Sequence, residues 1–259
     1  GRFRLRLRVD TDINDDARFQ LQVASGDSGT PVSTNQSFTS FFRPKPFNLD
    51  RAYLAYNPQA ASALTLGAGK FGFPQNRTQM VFDDDLNVEG AWEQVSWDFA
   101  DGVGINLVAL QTAVTEVKRD DDAFMLAGYG ELVVEGSRAD FSVSAANYAW
   151  VNPNLIAVGQ TDRVISSART NEVIRNAVGS VVGFASGFNV IDVIAEATFQ
   201  TARSDYPVRI LVDFARNTRA FSDRNSGFWL EAGYGRPRAV HTWGATYTYG
   251  WIEQDVAPS

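Results

Sequence analysis

Between Arg2 and Val9 charged and apolar residues alternate without a break, Arg2, Arg4, Arg6 and Arg8 against Phe3, Leu5, Leu7 and Val9. Successive side chains of a strand point to opposite faces, so the stretch sets four guanidiniums on one side and a greasy strip on the other. A dry core is closed to the charged side, because each unpaired buried charge costs several kcal/mol. The apolar side then meets either a protein core, as in a soluble sandwich, or lipid, as in a membrane barrel whose lumen is wet. The membrane reading requires the pattern to recur along the whole chain, and it does.

Asp10–Asp16 reads as a polar turn, after which Ala17 to Val23 alternates again and sets Arg18, Gln20 and Gln22 beside the arginines. Ser25 to Pro46 is polar and irregular, long for a hairpin connection. Asn48 to Tyr56 and Leu64 to Phe71 form the next pair, with Gly67 and Gly69 marking a bulge that would shift the facing. A second long connection, Gly72 to Glu89, carries Asp83, Asp84 and Asp85. Strands follow at Ala91–Phe99, Gly104–Val114, Ala123–Val134 and Arg138–Trp150. In the long stretch from Val151 to Ser186, residues Val173, Ile174, Ala177, Val178, Val181 and Val182 recur at helical spacing and predict a short amphipathic helix. Two hairpins close the chain, Asn189–Phe199 with Pro207–Ala215, and Phe228–Tyr234 with His241–Trp251.

No apolar run approaches the roughly 20 residues of a membrane helix, while barrels hide their apolar content by alternation. Cysteine is absent and His241 is the single histidine, which excludes thiolate and multi-histidine metal sites. A net charge of −7 argues against nucleic acid as a partner. Short and long connections alternate, as periplasmic turns and outer loops do in outer-membrane barrels. The first strand would then run from the outer rim inward. Gly1 begins directly in the strand pattern, so a signal peptide would have been cleaved or lie outside the sequence. The expectation is a single outer-membrane barrel domain over residues 1–259, about twelve strands of a larger barrel and incomplete at both ends.

Four stretches, Pro31–Gln36, Leu49–Tyr56, Asp83–Gly90 and Tyr247–Asp255, resemble in order and spacing a family of porins of Gram-negative outer membranes. The resemblance implies an all-β, transmembrane, antiparallel up-and-down β-barrel of roughly 16 strands, wide enough for a water-filled lumen. It also implies a passive channel for small hydrophilic solutes or ions that needs no cofactor. Outer-membrane lipid and lipopolysaccharide would surround it, and porin analogy suggests a homotrimer.

On this reading Arg4, Arg6, Arg8, Arg18, Gln20 and Gln22 line the pore, where charged rows set selectivity. The arginines suggest anion preference. Their plainer role is to keep the wall wet while paired with carboxylates. Asp83, Asp84, Asp85 and Glu89 would form a constriction loop opposite the arginines; a solvated acidic loop and a calcium site are the alternatives, although the glycine and alternate-residue spacing of an EF-hand are missing. Tyr56, Trp97, Phe99, Phe141, Phe199, Tyr234, Tyr247, Tyr249 and Trp251 fall near strand ends and suit a girdle at the lipid headgroups. No serine lies in a nucleophile motif, so enzymatic activity is not expected. Two other classes remain open: a structural or accessory barrel with a plugged lumen, and a soluble β module whose apolar faces pack on one another.

Overall fold

The computed structural model describes residues 1–27, 32–38, 44–116, 121–159, 170–237 and 240–258. Pro31 and the middle of the connections after Glu116 and Gly159 lie outside the described residues. In chain order the strands are β1 (Arg2–Phe3), β2 (Arg6–Asp12), β3 (Ala17–Ser25), β4 (Gln36–Ser37), β5 (Phe47–Tyr56), β6 (Leu64–Gly72), β7 (Asn87–Ala100), β8 (Val103–Thr115), β9 (Ala123–Val134) and β10 (Ala139–Val151). After the short helix α1 (Asn154–Gly159) come β11 (Val173–Arg175), β12 (Val181–Phe184), β13 (Asn189–Phe199), β14 (Val208–Asn217), β15 (Ser226–Tyr234) and β16 (Ala245–Ile252).

Twelve of these form one antiparallel meander in the order β16-β15-β14-β13-β10-β9-β8-β7-β6-β5-β3-β2, with β1-β4 and β11-β12 as separate two-stranded ribbons among the described residues. The meander leaves β2 and β16 as open edges. It is also strongly curled. Met80 lies against Gly227 of β15, its Sδ 2.8 Å from where a Cβ would stand, and Asp85 bonds Arg6 of β2 at 2.7 Å. Ten strand spacings separate β15 from β2, about 48 Å in a flat sheet, whereas five residues of main chain reach about 17 Å. Only a sheet folded into a trough, with the 73–86 connection inside it, brings both ends to one loop.

Register fixes the two faces. Along β2 and β3, Arg8 pairs with Gln22, Asp10 with Gln20 and Asp12 with Arg18, so the polar set shares the inner face. The outer face is largely apolar and uncovered: Leu7 is 57% exposed, Val143 53%, Trp97 61% and Tyr247 63%, with polar side chains such as Lys70, Glu89, Glu93 and Gln111 gathered toward the end that holds the 73–86 connection. Beyond the meander, only two-stranded ribbons and short helical segments occur among the described residues. A sandwich with its apolar faces packed together is therefore not what this chain forms.

Several local expectations are corrected. Strand β2 runs on through Asp12, so Asp10 and Asp12 belong to the inner face and the turn is confined to residues 13–16; Asp-Thr-Asp continues the alternation after the arginines. Gly67 and Gly69 mark no register shift, since β6 pairs evenly with β5 and β7. Gly67 instead leaves room for the indole of Trp92, which a Cβ would overlap. The bulge falls between Gln22 and Val23, where Asp50 is the extra residue, and it turns Asp50 inward. Residues 173–184 form the β11-β12 hairpin in place of a helix. Asn176 Oδ1 accepts from the amides of Val178 and Ser180, at 3.1 and 3.0 Å, and Gly179 takes φ +87°, while flanking Val and Ile favour strand. Finally, the short-long alternation stops at the last hairpins, where residues 218–225 are no longer than 235–244.

Candidate functional site

The connection after β6 is held across the trough by apolar contacts at its centre and polar ones at its ends. Phe82 stacks on Phe73 at 4.4 Å and meets Tyr148 edge-on at 4.9 Å and Trp150 at 6.3 Å. These rings join Phe71, Met80, Trp92, Val108, Leu110, Met125, Tyr148, Val190 and Val256 in one buried cluster. Thr78 donates to Asp213 of β14, and Gln75 Nε2 reaches the hydroxyl of Tyr148 at 3.4 Å. Arg77 braces the loop, donating to the Phe82 carbonyl at 2.9 Å and lying 5.2 Å from the Phe73 ring centre. Burial lowers its pKa, an effect the Asp84 carboxylate opposes.

Phe82 is the keystone. Truncating a buried aromatic costs about 3–5 kcal/mol, so Phe82→Ala is expected to lower the stability of the refolded protein by that amount in urea titrations. An effect below the range of surface substitutions would show that the loop does not depend on this ring.

Arg4, Arg6 and Arg8, and Arg18 on β3, each meet a carboxylate. Arg4 bonds Asp85 at 2.8 Å; Arg6 bonds Asp85 at 2.7 Å and lies 3.6 Å from Asp50. Arg8 pairs with Asp10 at 2.6 Å and Arg18 with Asp12 at 2.7 Å. Gln20 and Gln22 are buried, donating to Asp10 and Asp50 at 2.6 and 2.5 Å. Asn87 extends the network, donating to Asp50 at 2.7 Å and accepting from Arg51 at 2.8 Å. Arg4 and Arg6 thus meet the acidic loop directly through Asp85, while Arg8 and Arg18 are matched by acids of β2 itself.

Asp83, Asp84 and Asp85 do lie in the loop, but on divergent partners. Asp84 takes Gln79 and Arg77, Asp85 takes Arg4 and Arg6, and Asp83 accepts the Asp85 amide. Among the described residues no group of acids or histidine gathers to hold a metal ion. Glu89 is not in the loop: β7 has begun at Asn87, and Glu89 pairs with Lys70 at 2.8 Å on the outer face.

Tyr56, Trp97, Phe99, Phe141, Phe199, Tyr234 and Tyr247 stand on the outer face at the end with connections 13–16, 57–63, 101–102, 135–138, 200–207 and 235–244. Phe141 meets Phe199 edge-on at 6.0 Å, and Tyr234 stacks with Tyr206 at 5.6 Å. Tyr249 and Trp251 sit higher, opposite Leu230 and Phe228.

Sequence reasoning missed the apolar interior of the trough. The available signal was β8, where Leu107 and Ala109 alternate with Val108 and Leu110; a strand apolar on both faces is covered on both.

The family described as "Putative porin" matches residues 1–128. Among solved structures, Salmonella typhi OmpF in complex with daunomycin is 11% identical, with a TM-score of 0.48, covering 97% of this chain and 83% of that one. The outer membrane channel DcaP of Acinetobacter baumannii is 11% identical, with a TM-score of 0.43, covering 95% and 78%. No curated protein sequence matches.

Proposed function

We propose that this chain, whose residues 1–128 match the family described as "Putative porin", is a passive diffusion channel of the bacterial outer membrane for small hydrophilic solutes and ions. The observation that carries the reading is the 73–86 loop folded across the inside of a trough whose outside is apolar and bare. Lipid would cover the outer face, and the loop would narrow a wet lumen. The short connections would face the periplasm, with the aromatic band at that interface. Backbone groups on an open edge cannot be left in hydrocarbon, so β2 and β16 would take further strands, making the twelve described here part of a barrel of about 16 strands. Assembly as a homotrimer belongs to the same proposal.

A second reading, a barrel with its lumen plugged, is favoured by one feature. Residues 253–258 also fold inward: Asp255 and Val256 are fully buried, and Ser186 donates to Asp255 at 2.8 Å. Single-channel recording of the full-length protein in a planar bilayer separates the two. Stable ohmic steps are expected. Silence from a folded, heat-modifiable barrel would overturn the channel and leave the plugged form.

A further inference from the structure

The inner wall at the short-connection end differs in charge from the arginine side. One register row runs Asp98–Gly104–Val133–Ser142–Glu196–Leu211–Glu231–Thr248 across β7 to β16. Glu131 lies in the next inner row above it, opposite Asn106 and Ser144, and Asp140 in the next below, opposite Thr198. Five carboxylates therefore occupy three neighbouring rows, and the other inner side chains there include Ser96, Asn106, Ser142, Ser144, Thr246 and Thr248.

Two guanidiniums answer them. Arg209 lies between two acids, 2.7 Å from Glu196 and 2.6 Å from Glu231, and one positive charge cannot neutralise both. Arg236 reaches Thr198 Oγ1 at 3.5 Å. Asp98, Glu131 and Asp140 form no ion pair among the described residues; Asp140 accepts only from Gln200 at 3.1 Å and the Gly136 amide at 3.2 Å. On the opposite wall the arginines are matched by carboxylates and carry little net field.

Resting on the channel reading above, we propose that the acidic rows make the periplasmic half of the lumen a cation-selective stretch, so that the solutes favoured are small hydrophilic cations. Fixed charge of one sign along a narrow wall raises the local concentration of the opposite ion and excludes its own. The arginines, read from sequence as anion-attracting, are already occupied by Asp85, Asp50, Asp10 and Asp12.

The test is the reversal potential of the full-length protein in a planar bilayer under a potassium chloride gradient, for wild type and for the D98N/E131Q/D140N variant, whose residues hold no basic partner among the described residues. Wild type is expected to pass potassium about threefold or more over chloride, with the ratio falling toward one in the variant while single-channel steps persist. E131Q alone, expected to give part of that fall, keeps the test open should the triple variant not fold. A wild-type ratio at or below one, or a ratio unchanged by the substitutions, would overturn the inference while leaving the channel standing. Absence of steps in wild type would instead overturn the channel reading, and this one with it.

Discussion

Excising residues 75–85 and joining β6 to β7 by a short Gly-Ser turn is expected to raise single-channel conductance about twofold or more if, as proposed, the loop narrows the lumen. The graft is geometrically plain, since Gly72 and Asn87 are register partners on adjacent antiparallel strands and a hairpin loop of a few residues can close them. Two further effects follow from the same contacts. Asp85 leaves with the loop, freeing Arg4 and Arg6 from their shared carboxylate, so the reversal potential should move toward anions. The inner surfaces of Trp92, Leu110, Met125 and Tyr148 lose their cover, so the temperature at which the barrel unfolds in detergent should fall, in proportion to apolar area returned to water. Conductance unchanged by the excision would mean that another inward segment, residues 253–258, and not the loop, limits flow.

The outer face was legible because lipid would make a single demand, apolar at every second position, and Arg6 to Val9 or Val208 to Phe214 satisfies it visibly. The inner face answers to two demands at once. Where it is open, as at Arg8, Asp10 and Ser142, alternation is clean. Where the loop lies against it, as at Val108, Leu110 and Tyr148, both faces are apolar and parity is lost. Long-range pairing is hidden for a related reason. Nothing local to Asp85 says that its partner is Arg6, 79 residues away, because the pairing depends on the curl of the whole sheet. Local turn chemistry misled in one place, where Asn176 and Gly179 bend a β-branched stretch into a hairpin that helical periodicity had disguised.

Leu107→Arg is expected to destabilise the protein by about 2–4 kcal/mol in lipid, the cost of placing a guanidinium near the middle of a barrel's lipid-facing band. Leu107 is 48% exposed on the outer face. It lies in the register row of Val95, Gly130, Ala145, Val193 and Phe214, which crosses β10 at its centre. In water the same substitution on a half-exposed strand residue would fall within about 0.5 kcal/mol of neutral, so the size of the effect reports the solvent against that face. Urea titration of the two proteins refolded into phospholipid vesicles measures it. Gln94→Arg, on the inner face of β7 beside Ser96 and Asn106, is the matched control, expected to cost far less because that face is wet. Equal, small losses at both positions would mean that the apolar face does not meet lipid, and would remove the membrane from the account of this fold.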